Sequence, residues 1–367
     1  MRSPVKSPVS EGRLKELDGW RAISVLLVLA HHLGSYQYAS FMAPHHRVAE
    51  FLSHCGPLGV KVFFVISGFV ICRLLLVEES RTGAVSLKGF YIRRMFRILP
   101  PYFLGLAAIC ALLSLQMIVE SWRMILVAGV FLYDFRPLAI QSHSWFVGHT
   151  WSLAVEEQFY LVFPALWVLT RRTGRKQFFL VVFFLLVAWN LLAAVFDWNR
   201  LMSPTIRAGF ICIACGVLMA IFERRARTLA MALPGFAVAG IGLVLLWHPT
   251  EFFGLKAALY DSIYTPPAIA ILLIFSVERK GWLSAFLCWR PVQAVGLTSY
   301  GIYLWQQLFT APAKYYTALG KPIALCLPLL LVVVPFSWFF VEKPAMKLGR
   351  SMAAQVKQKF VGEEVLV

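Results

Sequence analysis

Apolar positions along this chain neither alternate nor recur on one helical face; they fill whole runs of about twenty residues. Such runs lie near 17–36, 57–77, 99–119, 150–170, 177–196, 204–222, 231–247, 257–277, 296–316 and 322–341. Each approaches the ~20 residues that a helix needs to cross a bilayer core. The pattern predicts an all-α polytopic membrane protein of about ten transmembrane helices, with both termini on the same side. A shorter run, 122–133, ends in YDFRP and reads as a half-helix or re-entrant segment. Polar flanks complete the predicted organisation: a disordered tail over 1–16, a transmembrane domain over 17–348 and a second tail over 349–367, the latter weakly amphipathic.

Charge then orients the runs. Of the 35 Lys and Arg residues, 25 fall in the segments placed with the termini, seven fall opposite, and Arg21, Lys61 and Arg207 lie within runs. That asymmetry is a positive-inside signal and predicts cytoplasmic termini. It also accounts for most of the net charge of +17 through topology and anionic lipid, so no nucleic-acid partner is expected. Composition agrees: 59% hydrophobic, 14% charged and a mean hydropathy of +0.71 exclude an ordinary soluble enzyme, in which about a quarter of residues are charged. The first run carries Arg21 and lacks a small-residue cleavage site, so no cleavable signal is expected. The seven cysteines mostly sit in apolar runs, where a free thiol behaves as a small hydrophobe. CIAC at 212–215 has redox spacing but no His or acidic neighbour. Zinc-ligand spacing, a P-loop and a dinucleotide fingerprint are missing, and no metal or tightly bound cofactor is expected.

The polar residues inside the runs carry the chemistry, because ionisable groups in a membrane span are expensive and usually face the protein interior. In LDGWRAISVLLVLAHH, Arg21 and His32 are eleven residues apart, which puts them on one helical face with ~16 Å between them along the axis. LKGFYIRRMFRILPPYF is basic and amphipathic; Arg94 and Arg97 share a face while Arg93 points ~100° away from Arg94. A guanidinium fork beside the double proline suits a phosphate-rich ligand. The opposite layer combines His31 and His32 with Lys61, from GPLGVKVFFVISGFVI, and with Glu156 and Glu157, from HTWSLAVEEQFYLVFP. A carboxylate beside an imidazole orients it and supports a general base; adjacent glutamates diverge, so only one of the pair is expected to face His32. Phosphate-binding arginines at one depth and a base many ångströms away fit a long, thin donor with a charged head, and acyl-coenzyme A is one such molecule.

Six segments in order, LDGWRAISVLLVLAHH, GVKVFFVISGFVI, FYIRRMFRILPPYF, HTWSLAVEEQFYLVFP, TSYGIYLWQQ and VEKPAMKL, cover about 17 to 348 and resemble the membrane acyltransferase-3 family of bacterial O-acyltransferases. The resemblance implies multi-pass residence in a bacterial inner membrane. It also implies transfer of an acyl group, commonly acetyl, from cytoplasmic acyl-CoA to a hydroxyl of a glycan or related acceptor. The family's arginine–ten residues–histidine pattern falls on Arg21 and His32, its Arg-x-x-Arg on Arg94 and Arg97, and its paired glutamates with the following aromatic on Glu156, Glu157 and Tyr160. Two positions depart from the family: Lys61 stands where members often have an acidic residue, and Gln306 stands where many have a histidine. Some relatives carry a C-terminal hydrolase-like domain that this chain does not, so it is expected to act alone or with a separate partner.

The resulting expectations are specific. His32 is the general base, with an acyl-histidine intermediate as the variant, and Glu156 or Glu157 orients it. Arg21, Arg93, Arg94 and Arg97 hold the acyl-CoA co-substrate, while Lys61, Tyr160 and Trp151 contact the acceptor. The outer aromatics Trp145, Trp151 and Trp198 suit a sugar ring, and interfacial belts give the same pattern. Neither the acceptor nor a choice between monomer and homodimer is set by the sequence. The competing reading is a transporter using the intramembrane His, Arg and Glu as a proton or solute pathway.

Overall fold

A computed structural model describes residues 13–33, 46–139, 144–172, 174–198, 201–246, 254–321 and 327–364. The expected N-terminal tail therefore lies outside the described residues through residue 12, as does the chain from 365. Among the described residues all regular structure is helical, apart from one isolated bridge between Ile118 and Tyr316. The elements used below are α1 (Lys15–His32), α2 (His46–Thr82), α3 (Leu87–Ser114), α4 (Trp122–Gly129), α5 (Thr150–Leu169), α6 (Arg175–Val195), α7 (Pro204–Ile221), α8 (Thr265–Glu278), α9 (Ser299–Trp305) and α10 (Lys343–Glu364).

Seven described helices are long and apolar enough to cross a membrane: Cys55–Thr82, Leu87–Ser114, Thr150–Arg172, Arg175–Val195, Pro204–Ile221, Gly254–Glu278 and Leu327–Val356. Glu223–Ala232 and Gly235–Leu246 would form an eighth together, but they meet at a bend of 104°. The remaining two expected runs fall short for separate reasons. α1 carries Lys15, Glu16, Asp18 and Arg21 within its 18 residues, too many charges for an uninterrupted apolar span. The run 296–316 is divided into Ser299–Trp305, Gln307–Thr310 and a 3-10 turn at Ala313–Tyr315. The short run 122–133 supplies only α4, eight residues long and so about 12 Å.

The centre of the molecule is the contact between α2 and α7, whose apolar windows are each 67% buried, against 17% for α6. Glycines let these two helices approach backbone to backbone: a Cβ on Gly68 would strike the Ile213 carbonyl, and one on Gly216 the Val65 carbonyl. Helices inside lipid gain little from hydrophobic exclusion, so close packing through small residues is what holds them. α3 starts at Ser86, whose hydroxyl accepts from the Gly89 N–H at 3.2 Å, and it runs unbroken through Pro100 and Pro101. The helix tolerates the double proline at the cost of two main-chain donors. α10 packs against α3 with Gly349 seated on the Phe96 side chain, so the C-terminal segment from Lys343 is one helix to Glu364.

The start of α1 is bolted to distant sequence. Glu16 accepts from Lys280 Nζ at 2.6 Å and Ser284 Oγ at 2.9 Å, and Trp20 Nε1 donates to Ser276 Oγ at 2.9 Å. These bonds fix α1 as the wall from which Arg21 and His32 project. The α2–α7 contact sets the first expected outcome: Gly216→Val, which drives a side chain into the Val65 carbonyl, lowers stability by about 1–3 kcal/mol. A reduced thermal midpoint in detergent measures it, and an unchanged midpoint would contradict the packing described.

Candidate active site

α1, α2, α3, α5 and α9 line a partly open cavity with Arg21, Arg94, Arg97, Glu156, Glu157 and Tyr160 among its walls. Three-residue spacing puts Arg94 and Arg97 on one face of α3, and both reach the cavity. Arg93 leaves in another direction to Glu78, at 3.2 Å. The Arg94 guanidinium lies over the Tyr160 ring, 5.0 Å from its centroid; Arg21 pairs with Asp18 at 3.1 Å. Among the described residues, neither Arg94 nor Arg97 has a carboxylate within ion-pair distance, and Arg97 is exposed. Glu156 accepts from the Tyr160 and Ser67 hydroxyls, which ties α5 to α2 across the cavity floor. The guanidiniums therefore face open volume while nearby carboxylates balance their charge, an arrangement that suits an incoming polyanion.

His32 lies elsewhere. Its Nε2 is 3.3 Å from Gln307 Nε2, its ring meets Trp145 edge-on at 5.8 Å, and His31 lies 5.1 Å away. If the Gln307 amide turns its Oε1 to the ring, the Nε2–H donates and Nδ1 becomes the basic nitrogen; with the amide nitrogen facing, the roles reverse. Trp145 is placed by Glu120, which accepts from Ser144 Oγ at 2.7 Å and from the Phe146 N–H at 3.0 Å. The Ser144–His149 segment then runs directly into α5.

The two expected layers are thus drawn differently. Glu156 and Glu157 were expected beside His32, but they share the cavity with the arginines. The reason is rotation: α5 turns Glu156 and Glu157 to the cavity that α3 lines with Arg94 and Arg97, while His32 is met by Gln307 and Trp145. Lys61, expected at the acceptor, is buried in an ion pair with Asp261 at 2.5 Å. Trp151 packs its ring against Phe64 at 6.0 Å. Tyr160 does line the cavity, through Glu156. Gln307, His149, Ser67 and Tyr303 were not singled out by sequence reasoning. The four-residue spacing from Tyr303 to Gln307 in TSYGIYLWQQ, which places polar groups on one helical face, is the signal that could have found two of them.

A family described as an acyltransferase domain matches residues 14–342. Among curated proteins, the chain is 25% identical over 386 residues to "Putative peptidoglycan O-acetyltransferase YrhL" of Bacillus subtilis (strain 168), covering 93% of this chain and 56% of that protein. It is 26% identical over 379 residues to "O-acetyltransferase OatA" of Staphylococcus aureus (strain NCTC 8325 / PS 47), covering 94% and 59%. A third, "Putative O-acetyltransferase SACOL0978" of Staphylococcus aureus (strain COL), is 27% identical over 385 residues, covering 91% and 57%. The chain therefore spans less than two thirds of the length of these relatives. No solved structure matches it.

Glu120, outside the spans, gives a pH-dependent outcome. Burial holds its carboxyl above the ordinary range, more than the donors from Ser121, Ser144 and Phe146 lower it. A raised folded-state value stabilises the fold below the ordinary carboxylate range, and that contribution is lost as pH rises through the raised value. Glu120→Gln does not titrate, so its thermal midpoint should gain on wild type between pH 4 and pH 8. Parallel pH curves for the two proteins would refute this assignment.

Proposed function

Because the chain belongs to the membrane acyltransferase-3 family, we propose that it is an integral-membrane O-acyltransferase. It would move an acyl group, most simply acetyl, from acyl-CoA to a hydroxyl of a glycan. The observation that carries this reading is the pairing of a cavity holding Arg94 and Arg97 without bound carboxylates with His32 farther along the same helix as Arg21. The proposed topology is about ten membrane crossings in a bacterial inner membrane, shorter broken helices completing some of them, with both termini cytoplasmic. The Arg97 end of the cavity is then its cytoplasmic mouth.

In this reading Arg94 and Arg97 grip the phosphates of coenzyme A, while Arg93, engaged by Glu78, contributes to the basic rim. The pantetheine arm extends past Tyr160 and Ser67, and the thioester reaches the His32 end. His32 removes the acceptor hydroxyl proton as that oxygen bonds to the acyl carbon; the carbon–sulfur bond breaks and its electron pair leaves on the thiolate. Gln307, rather than a glutamate, orients the imidazole. Glu156 holds Tyr160 and Ser67 and sets the electrostatics of the donor cavity. The acyl-histidine variant uses the same nitrogen as nucleophile.

Two outcomes test the proposal. Acetyl-CoA should bind the purified chain, and Arg94→Ala/Arg97→Ala should weaken binding at least tenfold, about 1.4 kcal/mol, in equilibrium dialysis. Absence of acyl-CoA binding to wild type would favour the transporter reading. His32→Ala should retain that binding while transfer of radiolabelled acetyl falls at least a hundredfold, in line with the usual contribution of general base catalysis; normal transfer by this variant would remove His32 from the mechanism.

A further inference from the structure

His149 stands immediately before α5, in HTWSLAVEEQ, and no role has been given to it. Its side chain is buried, with 6% of the residue exposed. Neither ring nitrogen has a hydrogen-bond partner among the described residues. A neutral imidazole offers one donor and one acceptor, and buried polar groups are almost always satisfied. Two unsatisfied nitrogens on one buried ring therefore point to something that arrives from outside the fold.

The main chain of His149 is already committed, so its side chain is not needed as an anchor. Its carbonyl accepts from the Tyr303 hydroxyl at 2.9 Å and from Ser152 Oγ at 3.2 Å. Tyr303 and Ser152 also bond each other at 2.6 Å. The ring meets the Tyr303 ring at 5.3 Å.

Its position relative to His32 is set by α9 and the turn that follows. Gln306 keeps helical dihedrals (φ −59°, ψ −33°), so Tyr303 and Gln307 lie on one face, one turn apart. His149 packs against Tyr303, and His32 sits against Gln307. The two imidazoles thus contact residues that are one helical turn apart on a single face. Trp145, four residues before His149, lies beside His32 at 5.8 Å and beside the half-buried Tyr315 at 5.8 Å.

We propose that His149 is the acceptor-positioning group: its imidazole, His32 and the Trp145 ring together form a subsite for one sugar residue. This rests on the acyl-transfer reading above. A sugar presents adjacent hydroxyls about 3 Å apart, and two hydrogen bonds of about 2.8 Å each bring them within reach of both rings. One hydroxyl meets His32 and reacts; its neighbour bonds to His149 and holds the ring in register. Trp145 supplies an aromatic face for the sugar's C–H groups. Because a hydroxyl can donate or accept, it bonds the facing nitrogen of His149 in either tautomer. A single isolated alcohol would engage only one imidazole, so the subsite selects a vicinal diol.

The test uses the full chain in detergent, radiolabelled acetyl-CoA as donor and cellotetraose, whose every residue carries adjacent 2- and 3-hydroxyls, as the acceptor probe. His149→Phe keeps the aromatic packing on Tyr303 and removes both nitrogens; His149→Asn keeps a polar group. The expected result is an acceptor KM raised at least tenfold in His149→Phe, with kcat within threefold and acetyl-CoA affinity unchanged. His149→Asn should recover most of the KM. A His149→Phe protein with wild-type acceptor KM overturns the proposal, as does one that loses acetyl-CoA binding together with transfer, because that marks a structural role. Wild type that binds acetyl-CoA but leaves cellotetraose unmodified overturns the sugar subsite and spares the donor reading. Wild type that binds no acyl-CoA fails the function itself, and the subsite falls with it.

Discussion

A guanidinium between helices in a membrane has to be met by protein or by a ligand, since hydrocarbon offers it nothing. That constraint organises the centre of this molecule. Arg21, Arg94 and Arg97 enter one cavity from α1 and α3, and Glu156 and Glu157 enter it from α5, so charges of both signs share its walls. Once they meet, α1, α3 and α5 are no longer interchangeable apolar cylinders. Their rotation and depth are set, and the cavity between them is a consequence. Tyr160 and Ser67 both donate to one carboxylate oxygen of Glu156, so the carboxylate binds α5 to α2 whether or not a ligand is near.

The helical class and the location of most long helices could be read from the chain because an apolar run of about twenty residues matches a bilayer crossing and far exceeds a buried strand. The count was less legible. α1 shows why: its charged first turns look interfacial, yet Glu16 and Asp18 are buried against Lys280, Ser284, Arg13 and Arg21, partners up to 268 positions away. The run 296–316 shows the reverse case, where uniform hydropathy conceals breaks near Gln306 and Ala311. For the site, α-helical spacing correctly separated Arg93 from Arg94 and Arg97. Depth along separate helices could not say which carboxylates shared a wall with which cations, because depth fixes a position along the axis and not the rotation that aims a side chain at one neighbour. Lys61 was misplaced for a related reason: its partner Asp261 lies in a π-helical turn, Tyr260–Tyr264, whose register no apolar periodicity reports.

Two chemical environments result, separated along α1. The arginine cavity holds charges of both signs; His32 is met by an imidazole, a carboxamide and an indole. On the proposed acyl-transfer reading, a charged donor and a neutral acceptor suit this division. There a strong cation beside His32 would oppose its protonation, and carboxylates around it would hold it in the charged form.

The bonds at the beginning of α1 also bear on how the protein is made. Residues 15–32 leave the ribosome long before their partners: Glu16 and Trp20 bond to Ser276, Lys280 and Ser284, and Asp18 is packed against Gly296. The helix that bears Arg21 and His32 must therefore wait, inserted but unlocked, until more than two thirds of the chain has been synthesised. Contacts of such long sequence separation close late. A nascent chain interrupted before that point carries every arginine and histidine named above and still lacks the clamp that would bring them into register.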